Sequence, residues 1–225
     1  MNMILARVIC IAVGYCLGMF QTGYIYGKLH HVDIRQHGSG NAGATNTLRT
    51  LGLKAGLITF FGDLGKAILS MLIAWLIFRE SYPQGVLLLE MYAGLGAVLG
   101  HNFPAYLKFK GGKGIACTAG FILAFYPPMA VLCLLLFIVV VAVTRYVSLG
   151  SILVMICFFV QLVVLGQLGY LRAGANYIAE IYMVGAVFAV MGIWRHKANI
   201  KRLLSGTENK FSFNKSGNLE TDCRY

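Results

Sequence analysis

Charged side chains are scarce in this chain: they make up 12% of its 225 residues, where a soluble domain usually carries about 25%. Acids are scarcer still, 8 Asp and Glu against 19 Lys and Arg. With 58% apolar residues, that shortage excludes an ordinary water-soluble fold and points to an integral membrane protein. Cysteine lacks any pattern. The six residues form no C-x-x-C and no regular Cys/His spacing, which argues against a zinc site or a disulfide framework. A Walker A loop is also absent: Gly114, not Ser or Thr, follows Lys113, and no strand precedes it. Basic residues are not interleaved with aromatics in a way that suggests base stacking, so nucleic acid is not an expected partner. Only Arg7 charges the N-terminal apolar stretch, which has no A-x-A end, and residues 1–20 read as part of a retained span.

What the chain does have is long apolar runs. Spans are expected at residues 3–26, 55–78, 85–107, 115–126, 129–144, 148–169 and 177–194. The fourth has only about two-thirds of the ~20 residues that a spanning helix needs, and it is expected to gain length from residues 112–114. Pro127 and Pro128 break it from the fifth. The expected fold class is therefore an all-α bundle of about seven transmembrane helices, a single domain over residues 1–211 with a polar tail at 212–225. One set of connections holds 15 of the 19 basic residues and the other holds three, Arg7, Arg79 and Arg172. The positive-inside rule makes the richer set cytoplasmic, with the N-terminus outside and the C-terminus inside.

The polar segments all fall on that richer face. The central one is GHNFPAYLKFKGGKGIA, residues 100–116, with His101, Asn102, Lys108 and Lys110 ahead of Gly111, Gly112, Lys113 and Gly114. Glycines let successive N–H groups turn towards one anion, and a helix starting at Ile115 would add partial positive charge. The plainer reading is a cytoplasmic loop whose glycines end a helix.

Residues 37–46, HGSGNAGATN, bring Ser39, Asn41, Thr45 and Asn46, small donors suited to a polyanion, and Arg49 follows within reach. A flexible turn-rich loop is the alternative. Asp63 and Lys66 sit inside the second span, where charges are costly, and at i,i+3 they suit a structural pair. Ser148 is a candidate N-cap for the sixth span. His196, Asn199 and Leu203 share a helix face after the seventh, either as site residues or as part of a basic helix on anionic lipid.

Together, SGNAGATNTLRTLG, GHNFPAYLKFKGGKGIA, RYVSLGSI and HKANIKRLLSGTENK resemble the signature segments of the bacterial acyl-phosphate:glycerol-3-phosphate acyltransferases, the PlsY family, in the right order along the chain. One departure is Ala67, where the family typically has Gly after the second-span Lys. The resemblance implies transfer of a fatty acyl group from acyl phosphate to the 1-hydroxyl of glycerol 3-phosphate at the cytoplasmic face of the plasma membrane. It implies no metal and no cofactor. The partners it implies are acyl phosphate, glycerol 3-phosphate, membrane lipids and the enzyme that makes the acyl phosphate. It implies that His196, Asn199, Lys113 and Arg49 are catalytic. They would also bind substrate, together with Ser39, Asn41, Thr45, Asn46, His101, Asn102, Gly111, Gly112, Gly114 and Ser148. The proton acceptor stays open between a substrate phosphate oxygen and His196.

One mechanism is excluded. No histidine of the five has an acid five residues on, so the H-x-x-x-x-D dyad of the other large glycerolipid acyltransferase family is missing. A transporter or binding protein for a phosphorylated solute is the competing class, but the two halves of the chain show no internal repeat.

Overall fold

The computed structural model describes residues 2–211. The expected tail at 212–225 lies outside the described residues. Nine α-helices follow one another among them. They are α1 (Met3–Gly18), α2 (Thr22–Leu29), α3 (Ala44–Phe78), α4 (Val86–Asn102), α5 (Ile115–Phe125), α6 (Pro127–Thr144), α7 (Val147–Gln167), α8 (Ala175–Arg195) and α9 (Lys197–Leu204). No strand occurs among the described residues. The expectation of an all-α membrane bundle holds.

Six stretches are long and apolar enough to cross a bilayer. The expected fourth span is not one of them. Helix α5 has 11 residues, roughly 16 Å at the helical rise. Residues 112–114 do not extend it as expected, because Gly114 stands at φ 81° and stops the helix there. Instead the glycine run lies beside the last turn of α4. The N–H groups of Gly111 and Gly112 donate to the Asn102 and His101 carbonyls at 3.3 and 3.0 Å.

The polar stretch before the second span holds another difference. Helix α3 starts at Ala44, well ahead of residue 55, and runs 35 residues with a break at Gly52 (φ 85°, ψ −179°). Its first turns are helical despite their Asn and Thr content because those side chains are satisfied inward. Asn46 and Thr47 are buried, and Thr47 Oγ1 donates to the Gly43 carbonyl at 3.2 Å.

Small residues set the framework. A Cβ on Gly14 or Gly18 would stand 2.0 or 2.1 Å from the carbonyl oxygens of Ala93 or Ala97. In return, one on Gly96 or Gly100 would meet those of Ile11 and Tyr15 at 2.3 and 2.2 Å. These paired G-x-x-x-G stripes bring α1 and α4 backbone to backbone, the usual device where lipid offers no hydrophobic drive. Packed rings join the other half of the bundle, with Phe121 of α5 stacked 4.2 Å from Phe188 of α8 and edge-to-face 5.6 Å from Phe158 of α7. The ends of α3, α4, α7 and α8 that carry the polar segments thereby gather at one end of the molecule.

Candidate active site

That end holds a cavity of about 380 Å³. Its polar wall is built by Ser39, Asn41, Thr45 and Arg49 around the start of α3, by Lys113 and Gly114 ahead of α5, by Ser148 of α7, and by His196 and Asn199 at the α8–α9 junction. Leu53, Leu57 and Phe60 of α3, Ile115 of α5, and Phe137 and Val141 of α6 supply its apolar lining.

Each polar residue has a structural reason to be there. Asn46 organises the 37–46 segment from within. Its side chain accepts from the Ser39 N–H at 2.8 Å and donates to the Ile34 and His37 carbonyls at 2.8 and 3.1 Å. Asn41 accepts from the Gly43 N–H at 2.9 Å, which sets up the start of α3. Arg49 makes no hydrogen bond or ion pair with a described residue, so its donors are open to the cavity. Lys113 Nζ donates to Asn199 Oδ1 at 2.5 Å.

Asn199 Nδ2 in turn donates to Glu208 Oε1 at 2.7 Å, as does Ser148 Oγ at 2.8 Å, and Arg202 pairs with Glu208 Oε2 at 2.7 Å. Ser148 therefore does not cap α7 as expected. Tyr146 holds the N-cap position, and the hydroxyl is spent on Glu208.

Glu208 is the residue that the sequence reasoning missed. Its side chain is 6% exposed and ties three elements together. The available signal was a lone acid following four cations, Arg195, Lys197, Lys201 and Arg202.

The charges at the cavity do not cancel. Glu208 is matched by Arg202 and Asp63 by Lys66, whereas Arg49 and Lys113 have no acid of their own. Burial is the largest influence on Lys113 and pushes its pKa down to about 8; Glu208 opposes that, while Arg202, Arg195 and Arg49 add to it. Burial pushes Glu208 up, but the hydrogen bonds from Asn199, Ser148 and Arg202 outweigh it and hold the carboxylate below its ordinary range. Burial also drives His196 down to about 4, so the ring is neutral at neutral pH. Its Nδ1 lies 2.8 Å from the Gly192 carbonyl and must carry the proton there, which leaves Nε2 as an acceptor.

At the floor, the expected Asp63–Lys66 pair is present, with Nζ 2.8 Å from Oδ1. His101 joins it, Nδ1 standing 3.0 Å from Lys66 Nζ. Asp63, His101 and Cys117 lie close enough together for a metal ion. The donor chemistry does not fit one, because the Lys66 ammonium stands in the same cluster, on Asp63 Oδ1 and the His101 Nδ1 lone pair, and would repel a cation there.

Three expected site residues are placed elsewhere. Asn102 is fully buried and does not reach the cavity. Gly111 and Gly112 stand behind the wall, with their N–H groups already committed to α4. The glycine nest is thus not the anion cradle that the sequence suggested. The turn packs so tightly that a Cβ on Gly112 would fall 1.9 Å from His101 Nε2, which gives those glycines a packing reason. The first N–H groups of α5, at Ile115 and Ala116, lack intrahelical acceptors and border the cavity instead.

Fold and site together define a polytopic membrane enzyme with a cationic cavity that also has an apolar lining. A family model described as glycerol-3-phosphate acyltransferase matches residues 8–206. The chain is 42% identical to a glycerol-3-phosphate acyltransferase of Clostridioides difficile over 208 residues, covering 92% of this chain and 96% of the relative. It is 44% identical to one of Alkaliphilus metalliredigens over 207 residues, 91% and 95% of the two chains. The crystal structure of PlsY, an integral membrane glycerol 3-phosphate acyltransferase, in its glycerol 3-phosphate form superimposes with a TM-score of 0.79 at 36% identity, covering 92% of this chain and 96% of that one. The lysophosphatidic acid form gives 0.77 at 35%. The chain belongs to the glycerol-3-phosphate acyltransferase family, and it is an acyltransferase.

Proposed function

We propose that this cavity transfers a fatty acyl group from acyl phosphate to the 1-hydroxyl of glycerol 3-phosphate, giving 1-acyl-glycerol 3-phosphate and phosphate. The observation that carries the reading is the pair of uncompensated cations, Arg49 and Lys113, lining one cavity together with a set of apolar side chains. Both substrates are anions, and their mutual repulsion must be offset where they meet. The related PlsY structures, with glycerol 3-phosphate in one and lysophosphatidic acid in the other, support the acceptor and the product.

The attacking hydroxyl oxygen bonds to the acyl carbonyl carbon, and the bond from that carbon to the phosphate oxygen then breaks. The donor is already activated, so no protein nucleophile is needed. Arg49 and Lys113 stabilise the charge that moves onto the carbonyl and then onto the leaving phosphate. Ser39, Thr45 and the N–H groups opening α5 supply neutral donors around them. The hydroxyl proton goes to a substrate phosphate oxygen or to His196 Nε2. A ring with a pKa near 4 is a better hydrogen-bond acceptor than proton carrier at neutral pH, which favours the phosphate. The walls of α3, α5 and α6 hold the acyl chain, and membrane lipid surrounds the rest.

Purified protein in detergent, given palmitoyl phosphate and glycerol 3-phosphate, is expected to release inorganic phosphate and form the monoacyl product. Comparable rates with acyl-CoA would overturn the choice of donor. The Lys and Arg distribution supports a cytoplasmic site in the plasma membrane, with the N-terminus outside. With the native cysteines replaced, a cysteine at Gln84 is expected to react with an impermeant thiol reagent on intact cells and one at Ser212 is not. The opposite pattern reverses the orientation.

A further inference from the structure

Arg195 is the last residue of α8 and does not line the cavity. Its guanidinium reaches across to the glycine turn instead. Nη2 donates to the Gly112 carbonyl at 2.6 Å and to the Gly111 carbonyl at 3.3 Å, while the Phe103 ring packs 5.0 Å from its Cζ. The turn is held from its other side by α4, whose His101 and Asn102 carbonyls take the two N–H groups. Both glycines of the turn therefore have N–H and carbonyl partnered, and the next residue along is Lys113. One helical turn beyond Arg195 comes Asn199, which receives the Lys113 ammonium.

We propose that Arg195 is a positioning residue, a clamp that fixes the Gly111–Gly112 turn to the α8–α9 junction and so sets where Lys113 stands against Asn199 and His196. The inference deepens the proposed function and rests on Lys113 having a role in it. A lysine on a four-carbon stem loses much rotamer freedom when held in one place, and a rigid base for that stem reduces what must be ordered on substrate binding. Arginine suits the job because one terminal nitrogen carries an N–H for each carbonyl while the flat guanidinium packs on the Phe103 ring, a combination that an ammonium lacks.

The test uses Arg195→Lys, which keeps the charge and loses the planar guanidinium, alone and combined with Lys113→Ala. Arg195→Lys alone is expected to lower kcat/KM about tenfold, the scale of one charge-assisted hydrogen bond. In the Lys113→Ala background the same change is expected to cost less than about twofold, because nothing remains to be positioned. Losses that multiply in the double variant would show that Arg195 acts on substrate directly and would overturn the clamp. Phe103→Leu, which removes the ring beneath the guanidinium, is expected to give the same non-additive pattern on a smaller scale and serves if Arg195→Lys does not fold.

A second readout needs no activity. Trace labelling of Lys113 with an amine reagent across pH reports its titration, which stands near pH 8 with the clamp in place. Loosening the turn exposes the amine to water, so Arg195→Lys is expected to move that titration up towards the ordinary lysine range near 10.4. An unchanged titration sinks the clamp even if acyl transfer is seen. A shifted titration in a protein that transfers no acyl group supports the clamp while removing the proposed reaction.

Discussion

Two ionic clusters, one part-buried and one buried, sit at opposite ends of this molecule, and they are finished differently. Near the starts of α1 and α8, Arg7 grips Glu180 with two donors, and Tyr92 Oη adds a third at 2.7 Å, so both carboxylate oxygens are satisfied. At the other end, Asp63 receives Lys66 on one oxygen, while its second oxygen, Oδ2, has no partner among the described residues. The first cluster is closed on itself, and the second borders the cavity with unused hydrogen-bonding capacity. A closed pair in a membrane protein serves packing between helices. An open one at a cavity floor is tolerated because the site above it requires polarity.

Removing one partner of the open cluster should produce the largest effect. Lys66→Met leaves a carboxylate that is 1% exposed without its cation, which costs about 3–5 kcal/mol. Thermal unfolding in detergent, followed by a fluorophore reacting with the buried thiols of Cys10, Cys117 and Cys133, is the measurement. The double variant Asp63→Asn, Lys66→Met is expected to recover most of the loss. If it does not, burial of unpaired charge is not the reason for the instability.

Next come the two cations that the cavity leaves uncompensated. Arg49→Ala and Lys113→Ala are each expected to lower kcat/KM about a hundredfold or more, since each removes several charge-assisted contacts of roughly 1.5–3 kcal/mol. Thermal stability should change little. If both variants fold and keep near wild-type turnover, the cavity is not an anion site.

The pH dependence should be smaller. Lys113 carries its charge below about pH 8 and loses it as pH rises through that value. The kcat/KM should therefore fall about tenfold per unit above pH 8. His196, neutral down to about pH 4, contributes no limb between pH 5 and 9. The upper limb is expected to vanish in Lys113→Ala, and its persistence there would assign it to another group.

The contrast between the two ends also shows what a sequence can convey. All the spans but the fourth were legible because apolar runs are local, and the polar segments because their Gly, Asn and Lys content is out of place in lipid. Ser39, Arg49, Lys113, Ser148, His196 and Asn199 were legible one by one, and the structure places all six around one cavity. What was not legible was direction. Nothing in G-G-K-G says that the first two N–H groups turn back onto α4, which is why the glycines look like an anion cradle until their partners are seen. Glu208 and Arg195 were hidden for the same reason: each acts on a segment far away in sequence, Ser148 in one case and Gly111 and Gly112 in the other. Pairing across 60 or more residues leaves no local trace.

The smallest effect is expected at the closed cluster, and it decides whether the two ends are separable at all. Arg7 and Glu180 keep 22% and 21% of their side-chain surface, so part of their attraction is screened and the removal of either leaves a partner that can turn outwards. Arg7→Met or Glu180→Gln should therefore destabilise by about 1 kcal/mol, well below Lys66→Met. Both should leave kcat/KM within about twofold, because changes at distant, independent sites act separately. Tyr92→Phe removes only the third donor and should cost less again. The decisive comparison is Arg7→Met with Arg49→Ala, measured side by side for unfolding temperature and for kcat/KM. Stability should move in the first and activity in the second. If Arg7→Met lowers kcat/KM by tenfold while the protein stays folded, the α1–α4 glycine interface transmits strain from one end to the other. The closed cluster then belongs to the working of the site, and the division between a packing end and a reacting end fails.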